Sequence, residues 1–261
     1  KGNRSVALQI VPDKEKKQVN FQLIELQGKI WSLQGNTGIK ISSPSFNGTV
    51  KRGSATCPCC GYTTPAENTR KQFIKRNGGA DDARLIAVVL QKPGLSGTFF
   101  RLGSDSDQKC LAAAVKRRAE LEDKNTSNLS LLPNEPLPYL RSIFNVNLLG
   151  INEWGMLFNS RQALALITLV KNTKQAVALA GYDNDSRLST AVETCLAFAI
   201  DRCADYWSSL AVWAGEFVAH TFGRQALGII WDYAEVNGFA GGSGNYEGAV
   251  DWICRVIEKT G

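Results

Sequence analysis

Three cysteines within four residues constrain this chain more than any other feature of its sequence. They form the stretch Cys57-Pro58-Cys59-Cys60-Gly61, in which the first and last thiols are three residues apart. Two thiolates at that spacing can bind one tetrahedral metal ion, a geometry that zinc prefers. Gly61 can adopt the positive φ that turns backbone N–H groups toward sulfur, and Pro58 stiffens the turn. The spacing predicts a zinc knuckle with Cys57 and Cys60 as ligands, and Cys59 as a bystander or possible substitute.

The zinc site that this stretch predicts is incomplete. A structural zinc ion takes four ligands, but the chain holds no second Cys-x-x-Cys pair, and Cys110 and His220 stand alone in helix-like segments. We therefore expect the other two ligands to come from a missing part of a longer parent chain or from a partner. The chain also begins at Lys1 without a methionine, so we interpret it as a segment of a longer protein. The alternative, three cysteines that meet by chance in a loop, stays open.

Cysteine usage and hydropathy predict a cytoplasmic protein with no membrane partner. Seven cysteines is an odd number, and the adjacent Cys59 and Cys60 could pair with each other only under strain. This pattern does not favour a disulfide framework, so a reducing compartment is predicted. No apolar run approaches the roughly 18 residues of a membrane span.

The charge of the chain is divided unevenly along its length. Residues 1–124 carry 21 Lys and Arg against 11 Asp and Glu, whereas residues 125–261 carry 9 against 13. A basic half with a zinc motif suits a polyanionic partner, and the acidic half suits a packing scaffold. A solvated, lysine-rich surface would give the same charge balance, so that alternative stays open.

Alternation of apolar and polar residues predicts strands in the first half. Ser5–Pro12 and Gln18–Leu26 alternate in this way and are joined by a charged turn, which predicts a β-hairpin. Further short strands are expected at Lys29–Leu33, Arg84–Leu90 and Thr98–Leu102. After the cysteines, Thr64–Lys75 predicts a short helix with Thr64 as the N-cap and Pro65 at the first helical position.

Helical spacing of apolar residues dominates the rest of the chain. Helices are predicted at Asp105–Asp123 (with Lys116, Arg117 and Arg118 on its outer face), Arg161–Ala180, Leu188–Leu210, about Thr221 to Val236, and Tyr246–Lys259. The polar, proline-punctuated stretch Lys124–Pro138 marks a boundary between them. The fold class is therefore predicted as α+β, with a β-rich module at 1–124 and a mainly α-helical module at 125–261.

Other candidate sites are weaker. Gly238–Gly248 (GFAGGSGNYEG) invites comparison with a phosphate loop, but a helix is predicted before it, so a flexible linker is favoured. His220 is the only histidine, and no Gly-x-Ser-x-Gly elbow is present, so a hydrolytic triad is not supported. Asp205 is interpreted as a helix-surface residue, and Trp207, Trp213 and Trp231 as core residues.

Six stretches in a fixed order resemble one family of enzymes. They are CPCCGYTTPAENTRKQ, RLIAVV, LPNEPLP, WGMLFNSRQALALITLV, LAFAIDRCADYWSSLAVW and FGRQALGIIWDYAEVN. The ordered set is similar to the large adenine-specific DNA methylases that contain a zinc ribbon, from about Lys1 to Lys259. The resemblance implies a parent enzyme whose S-adenosylmethionine-dependent core is interrupted by a zinc ribbon and a helical region.

The same resemblance implies that this stretch is catalytically incomplete. The family's Asp-Pro-Phe-type cofactor loop lies before the insert and its Asp-Pro-Pro-Tyr motif lies after it, and neither occurs here. No catalytic or cofactor-binding residue is therefore assigned, and S-adenosylmethionine is expected only in the parent protein. The family's first cysteine pair would also fall upstream of Lys1, so the resemblance implies that zinc binds Cys57 and Cys60 only when those upstream cysteines are present.

The resemblance implies DNA and the rest of the parent chain as partners. Phosphate contacts are predicted at cations that flank the cysteines in sequence: Lys51, Arg52, Arg70, Lys71, Lys75 and Arg76. A rival hypothesis is a non-catalytic zinc-ribbon adaptor that binds nucleic acid, or a protein through its helical half. A downstream Asp-Pro-Pro-Tyr motif would favour the enzyme, and an early stop codon would favour the adaptor.

Overall fold

Most of the antiparallel sheets lie in the first half of the chain and most of the helical residues in the second, which confirms the α+β class. The computed structural model describes residues 5–42, 44–76, 78–95, 97–140, 143–182 and 185–260, with only the backbone at position 37. The chain divides into two units that interleave in sequence. One comprises Lys1–Lys75 and Ala83–Cys110, and the other Arg76–Asp82 and Leu111–Gly261.

The two units differ in charge, and we name them accordingly. The first holds 16 Lys and Arg against 6 Asp and Glu, a surplus of ten positive charges, and is the basic unit. The second holds 14 against 18 and is the acidic unit.

A four-stranded antiparallel meander opens the basic unit. Its strands are β1 (Val6–Asp13), β2 (Gln18–Gln27), β3 (Ile30–Leu33) and β4 (Asn36–Ile41), in that spatial order. The predicted hairpin is confirmed, and Asp13 pairs with Gln18 across its turn. Leu23 and Ile24 are buried, so the centre of β2 supplies the core of this sheet.

A smaller sheet carries the cysteines. Its strands are β5 (Val50–Lys51), β6 (Ser54–Thr56) and β7 (Thr63–Thr64), followed by the short helix α1 (Ala66–Lys75). The short helix predicted here is thus confirmed, but it begins at Ala66, one residue after the predicted first position Pro65, and the predicted N-cap Thr64 ends β7. The hairpin β8 (Ala87–Leu90) and β9 (Phe99–Leu102) completes the strands of this unit.

Most of the helices belong to the acidic unit, which has two hydrophobic cores. These helices are α2 (Asp105–Asp123, whose first residues belong to the basic unit), α3 (Ser160–Leu179), α4 (Ser186–Tyr206) and α5 (Tyr246–Thr260), with a two-stranded ribbon, β10 (Val212–Trp213) and β11 (Val218–Ala219), between the last two. One core joins α3, α4 and α5 through residues such as Leu166, Cys203 and Ala249. The other is built from loops and 3₁₀ turns around Val146, Leu157 and Leu227.

The helix predicted from Thr221 to Val236 is wrong. Only a 3₁₀ turn, Thr221–Gly223, forms there, and no helix is assigned between it and Tyr246. Leu227 instead exchanges backbone hydrogen bonds with Ile143 and Asn145, and the Ala234 N–H donates to Ala211 O. The apolar spacing in this stretch therefore reflects burial of an irregular chain, which periodicity alone does not distinguish from a helix.

Two further predictions need correction. The helix predicted to reach Leu210 ends at Tyr206, because Trp207 leaves helical geometry (φ −99°, ψ 54°) and Ser208 Oγ accepts the Leu210 N–H. Arg118 does not lie on the outer face of α2, because its guanidinium donates to Asp81 and to Ser160 Oγ. Among the helices of the described residues, none is long and apolar enough to cross a membrane.

Candidate metal centre and its surroundings

The turn between β6 and β7 has the backbone geometry of a knuckle. The Cys57 N–H donates to Tyr62 O at 2.9 Å, and the Gly61 N–H returns to Cys57 O at 2.8 Å. Gly61 has a φ of 75°, a left-handed conformation that favours glycine. The turn is therefore closed by its own backbone, and its two outer cysteines are held at one end of the small sheet.

Cys57 and Cys60 are both exposed and suited to metal binding. The backbone N–H of Cys60, and after it that of Cys59, hydrogen-bonds the Cys57 sulfur and lowers the pKa of this thiol below its ordinary value. Because a metal binds the thiolate, amides that stabilise the anion also favour metal binding. This is the arrangement that the Pro58 and Gly61 spacing predicts.

Cys59 has a different environment from its neighbours. Its sulfur lies 3.3 Å from Gln18 O and 3.7 Å from Asp13 O. The thiol thus donates to the two carbonyls that flank the turn of the β1–β2 hairpin. Desolvation, and next the charge of Cys57, raises the pKa of Cys59. The Cys59 thiol is therefore protonated and hydrogen-bonded to the β1–β2 hairpin. Its role as a substitute zinc ligand stays a prediction.

The donor set at the knuckle fits half of a structural zinc site. Two exposed thiolates with amide support match the ligands that zinc prefers. Within the described parts of the chain, no group of three or more His, Cys, Asp or Glu side chains is arranged to hold a metal ion.

The six predicted phosphate contacts do not form a single set. Lys51 ends β5 and Arg52 begins the turn to β6, at the end of these strands away from the knuckle. Arg52 has a φ of 52° there. A Cβ placed on Gly53 would lie 3.1 Å from the Ala66 Cβ, so this turn lies against the start of α1.

The other four predicted contacts lie on or just after α1 and differ in their engagement. Lys71 pairs with Glu67 at 2.7 Å, and Arg76 pairs with Asp82 and belongs to the acidic unit. Arg70 and Lys75 are exposed and make no ion pair within the described residues. Four members of the predicted set therefore form no ion pair with the described residues: Lys51, Arg52, Arg70 and Lys75.

The segment Asn159–Gln162, part of the stretches that carry the resemblance, forms a buried helix cap. Asn159 Oδ1 accepts the N–H groups of Arg161 and Gln162, and Gln162 Oε1 accepts the Asn159 N–H. Asn159 Nδ2 also donates to Tyr233 Oη at 2.9 Å and to Glu235 at 2.8 Å. This network ties the start of α3 to the segment that was predicted as a helix, and desolvation raises the pKa of Tyr233 to about 12.

A cleft of about 490 Å³ lies beside this cap in the acidic unit. Its charged side chains pair with one another, since Arg118 pairs with both Asp81 and Glu122, and Arg76 with Asp82. Asp81 Oδ1 also accepts the N–H and hydroxyl of Ser160. These ion pairs and hydrogen bonds within the acidic unit therefore account for the polar groups around the cleft.

Asp205 and His220 form a pair that the sequence did not reveal. The His220 Nδ1 lies 2.9 Å from Asp205 Oδ2, and Asp205 Oδ1 accepts the Phe222 N–H at 2.8 Å. The Thr221 hydroxyl donates to Asp205 O, and its oxygen lies 2.6 Å from Ser208 Oγ. Asp205 thus fastens the segment after β11 to the end of α4, a contact between residues 15 apart that helix periodicity does not predict.

The glycine-rich stretch Gly238–Gly248 packs on two aromatic rings. A Cβ on Gly238 would lie 1.9 Å from Trp207 Cζ2, and one on Gly244 would lie 2.6 Å from Tyr206 Cγ. The buried Trp207 donates its indole N–H to Gly244 O at 2.8 Å. The flexible-linker interpretation therefore needs correction, because the glycines let the backbone approach the rings closely.

No family model matches this chain, and neither a curated protein nor a solved structure matches it.

Proposed function

We propose that this chain is an internal part of a zinc-ribbon-containing, S-adenosylmethionine-dependent adenine-specific DNA methyltransferase. In this proposal the basic unit positions DNA, the acidic unit is a scaffold, and the catalytic motifs lie elsewhere in the parent chain. The observation that carries the proposal is the knuckle, with two exposed thiols, an amide-supported Cys57 and a left-handed Gly61. The charge surplus of the basic unit supports a polyanionic partner.

Cobalt titration tests the zinc half of the proposal. Tetrahedral thiolate coordination of Co²⁺ gives visible absorption, so it reports the ligand set directly. We expect no tetrahedral binding by the 261-residue chain alone. A version extended by an upstream cysteine pair should bind one ion tightly, and in that version binding should be lost in Cys57→Ser and Cys60→Ser and retained in Cys59→Ser. Stoichiometric tetrahedral binding by the chain alone would overturn the half-site proposal.

DNA binding tests the second half. Anisotropy of a labelled 20-bp duplex should show affinity that falls steeply between 50 and 200 mM salt. Arg70→Gln with Lys75→Gln should lower the slope of log affinity against log salt by about 2, because two phosphate contacts are lost. Lys71→Gln is a matched control, since Lys71 already pairs with Glu67. An unchanged affinity and slope in the double variant would exclude phosphate contacts through Arg70 and Lys75.

The adaptor hypothesis is separated from the enzyme by two further observations. Continuation of the coding sequence into an Asp-Pro-Pro-Tyr motif supports the enzyme, and its absence from the complete coding sequence supports an adaptor. Methyl transfer by the 261-residue chain alone would contradict both.

A further inference from the structure

The turn of the β1–β2 hairpin lies against the zinc knuckle, although the two are about 40 residues apart in sequence. We call Lys14–Lys17 the lysine turn; its sequence is Lys-Glu-Lys-Lys. Asp13 and Gln18 flank this turn, and the carbonyls of both accept the Cys59 thiol, at 3.7 Å and 3.3 Å. Cys59, which lies between the two predicted metal ligands, therefore connects the lysine turn to the knuckle.

Cations predominate at this end of the hairpin. Lys14, Lys16 and Lys17 are all exposed. Arg84 adds a fourth cation, because its guanidinium donates to Val19 O at 2.6 Å and lies over the Phe21 ring. The acids here are Glu15, which is exposed, and Asp13, whose Oδ2 lies 3.9 Å from the Lys16 Nζ. Four cations against two acids leave a net positive surface.

The backbone of the lysine turn is well defined. The Lys16 N–H donates to Asp13 Oδ1 at 2.9 Å, and Lys17 has a φ of 51°. Glycine or asparagine suits that conformation better than lysine, so a lysine there retains a positive charge at some conformational cost. Lys17 and Arg52 are the two non-glycine residues with positive φ in the described parts of the chain, and both are basic.

We propose that the lysine turn, held against the knuckle by Cys59, contacts the phosphate backbone of DNA. This inference rests on the proposed function and adds to it a second contact surface, separate from α1. Exposed lysines on a fixed hairpin position a duplex without reading its sequence, which suits a module whose parent enzyme carries its chemistry elsewhere. Cys59 acts as a positioning residue in this arrangement.

The test compares two triple variants with the same loss of charge, in the full 261-residue chain. The first is Lys14→Gln, Lys16→Gln and Lys17→Asn, in which asparagine suits the left-handed position. The control is Lys29→Gln, Lys40→Gln and Lys109→Gln, three exposed lysines of the same unit. With the labelled 20-bp duplex, the first variant should lower the salt slope by about 2 to 3, and the control by less than about 1. Circular dichroism confirms that both are folded.

A second comparison keeps every cation and alters only the attachment of the turn. Cys59→Ala removes the thiol donor and should weaken DNA binding by roughly fivefold, the effect of one hydrogen bond. Cys59→Ser retains a donor and should bind more tightly than Cys59→Ala. Cys110→Ala, at an exposed cysteine of the same unit, should leave the affinity unchanged.

The outcomes separate this inference from the proposed function. If the wild-type chain does not bind the duplex at low salt, both the DNA role and this inference are overturned. If the wild type binds and the Arg70 and Lys75 variants weaken it while the lysine-turn variant does not, only this inference fails. Equal losses in the two triple variants would show a response to net charge alone and would also overturn it.

Discussion

At the scale of single residues, two glycines and two aromatic side chains explain the most distinctive part of the acidic unit. Gly238 and Gly244 let the backbone pass across Trp207 and Tyr206 with no room for a side chain. The sequence shows that the stretch is rich in glycine, but a turn, a linker and a close approach all use glycine. Which of these three roles the glycines have depends on the aromatic rings that pack against them, and those are tertiary contacts that the local sequence does not show.

Gly238→Ala should destabilise the acidic unit. The new methyl group would lie 1.9 Å from Trp207 Cζ2, so the ring or the backbone must move, at a cost of about 1 to 3 kcal/mol. Urea unfolding followed by tryptophan fluorescence measures the loss. Gly241→Ala is the matched control, because a Cβ there has no heavy atom within 4 Å. Equal stability of the two variants would contradict the packing described above.

The Arg101–Asp107 pair gives the basic unit an acid-sensitive contact. Arg101, and next Ser104, holds the pKa of Asp107 well below its usual range. A lowered folded-state pKa contributes stability above the unfolded value of about 3.9, and this contribution is lost as the pH falls through and below that value.

Asp107→Asn should therefore flatten the dependence of stability on pH. Between about pH 4 and pH 2 the variant should lose less stability than the wild type, because it has no carboxylate to protonate at this position. Urea unfolding followed by circular dichroism across this range gives the comparison. Asp105→Asn is the control, because it removes the same charge from a residue that is not paired with Arg101. An identical flattening in both variants would show that the acid sensitivity does not come from the Arg101–Asp107 pair.

At the scale of elements, the N-caps of α3 and α4 accept the same kind of backbone hydrogen bonds but differ in burial and in their other partners. Asn159 caps α3 while buried and bonded to Tyr233 and Glu235. Asp185 caps α4 at an exposed position, accepting the N–H groups of Arg187 and Leu188. The start of α3 was predicted from the helical run that begins at Arg161, but the contacts of Asn159 with residues 74 and 76 positions away were not.

Asn159→Ala should cost more stability than Asp185→Ala. The exposed cap is expected to contribute about 1 kcal/mol, whereas the buried one also leaves partners without hydrogen bonds and should cost about 2 to 4 kcal/mol. Thermal or urea unfolding of the two variants in the same buffer measures the difference. A loss at Asn159 no greater than that at Asp185 would show that the network beyond the cap contributes little.

Elements with a regular pattern were predictable from the sequence, and irregular ones were not. The alternation in β1 and β2 and the helical spacing in α2 and α5 gave bounds within two residues of those observed. The stretch 224–236 has helical spacing too, yet it runs as an irregular chain, because Leu227 and Ala234 find backbone partners far away in sequence. The closed turn at Cys57–Tyr62 was predictable because its hydrogen bonds are local.

At the scale of the whole molecule, charge and contact divide the chain in different ways. Composition alone places the surplus of positive charge in residues 1–124, whereas the basic unit excludes Arg76–Asp82 and ends at Cys110. The excluded segment belongs to the other unit because Asp81 bonds the start of α3 and Arg118. The position of the lysine turn beside the knuckle was likewise not predictable, since the Cys59 thiol contacts residues more than 40 positions away in sequence.

The packing of the glycine-rich stretch Gly238–Gly248 against Trp207 also determines how this stretch can open. The Tyr246 N–H donates to Gly238 O at 2.8 Å, and Trp207 donates to Gly244 O at 2.8 Å, so both ends of the stretch are bonded around one indole. Local opening must expose the Tyr246 amide and the indole to water together. The Tyr246 amide and the Trp207 indole N–H should therefore show similar protection from hydrogen exchange, because both become exposed in a single cooperative opening.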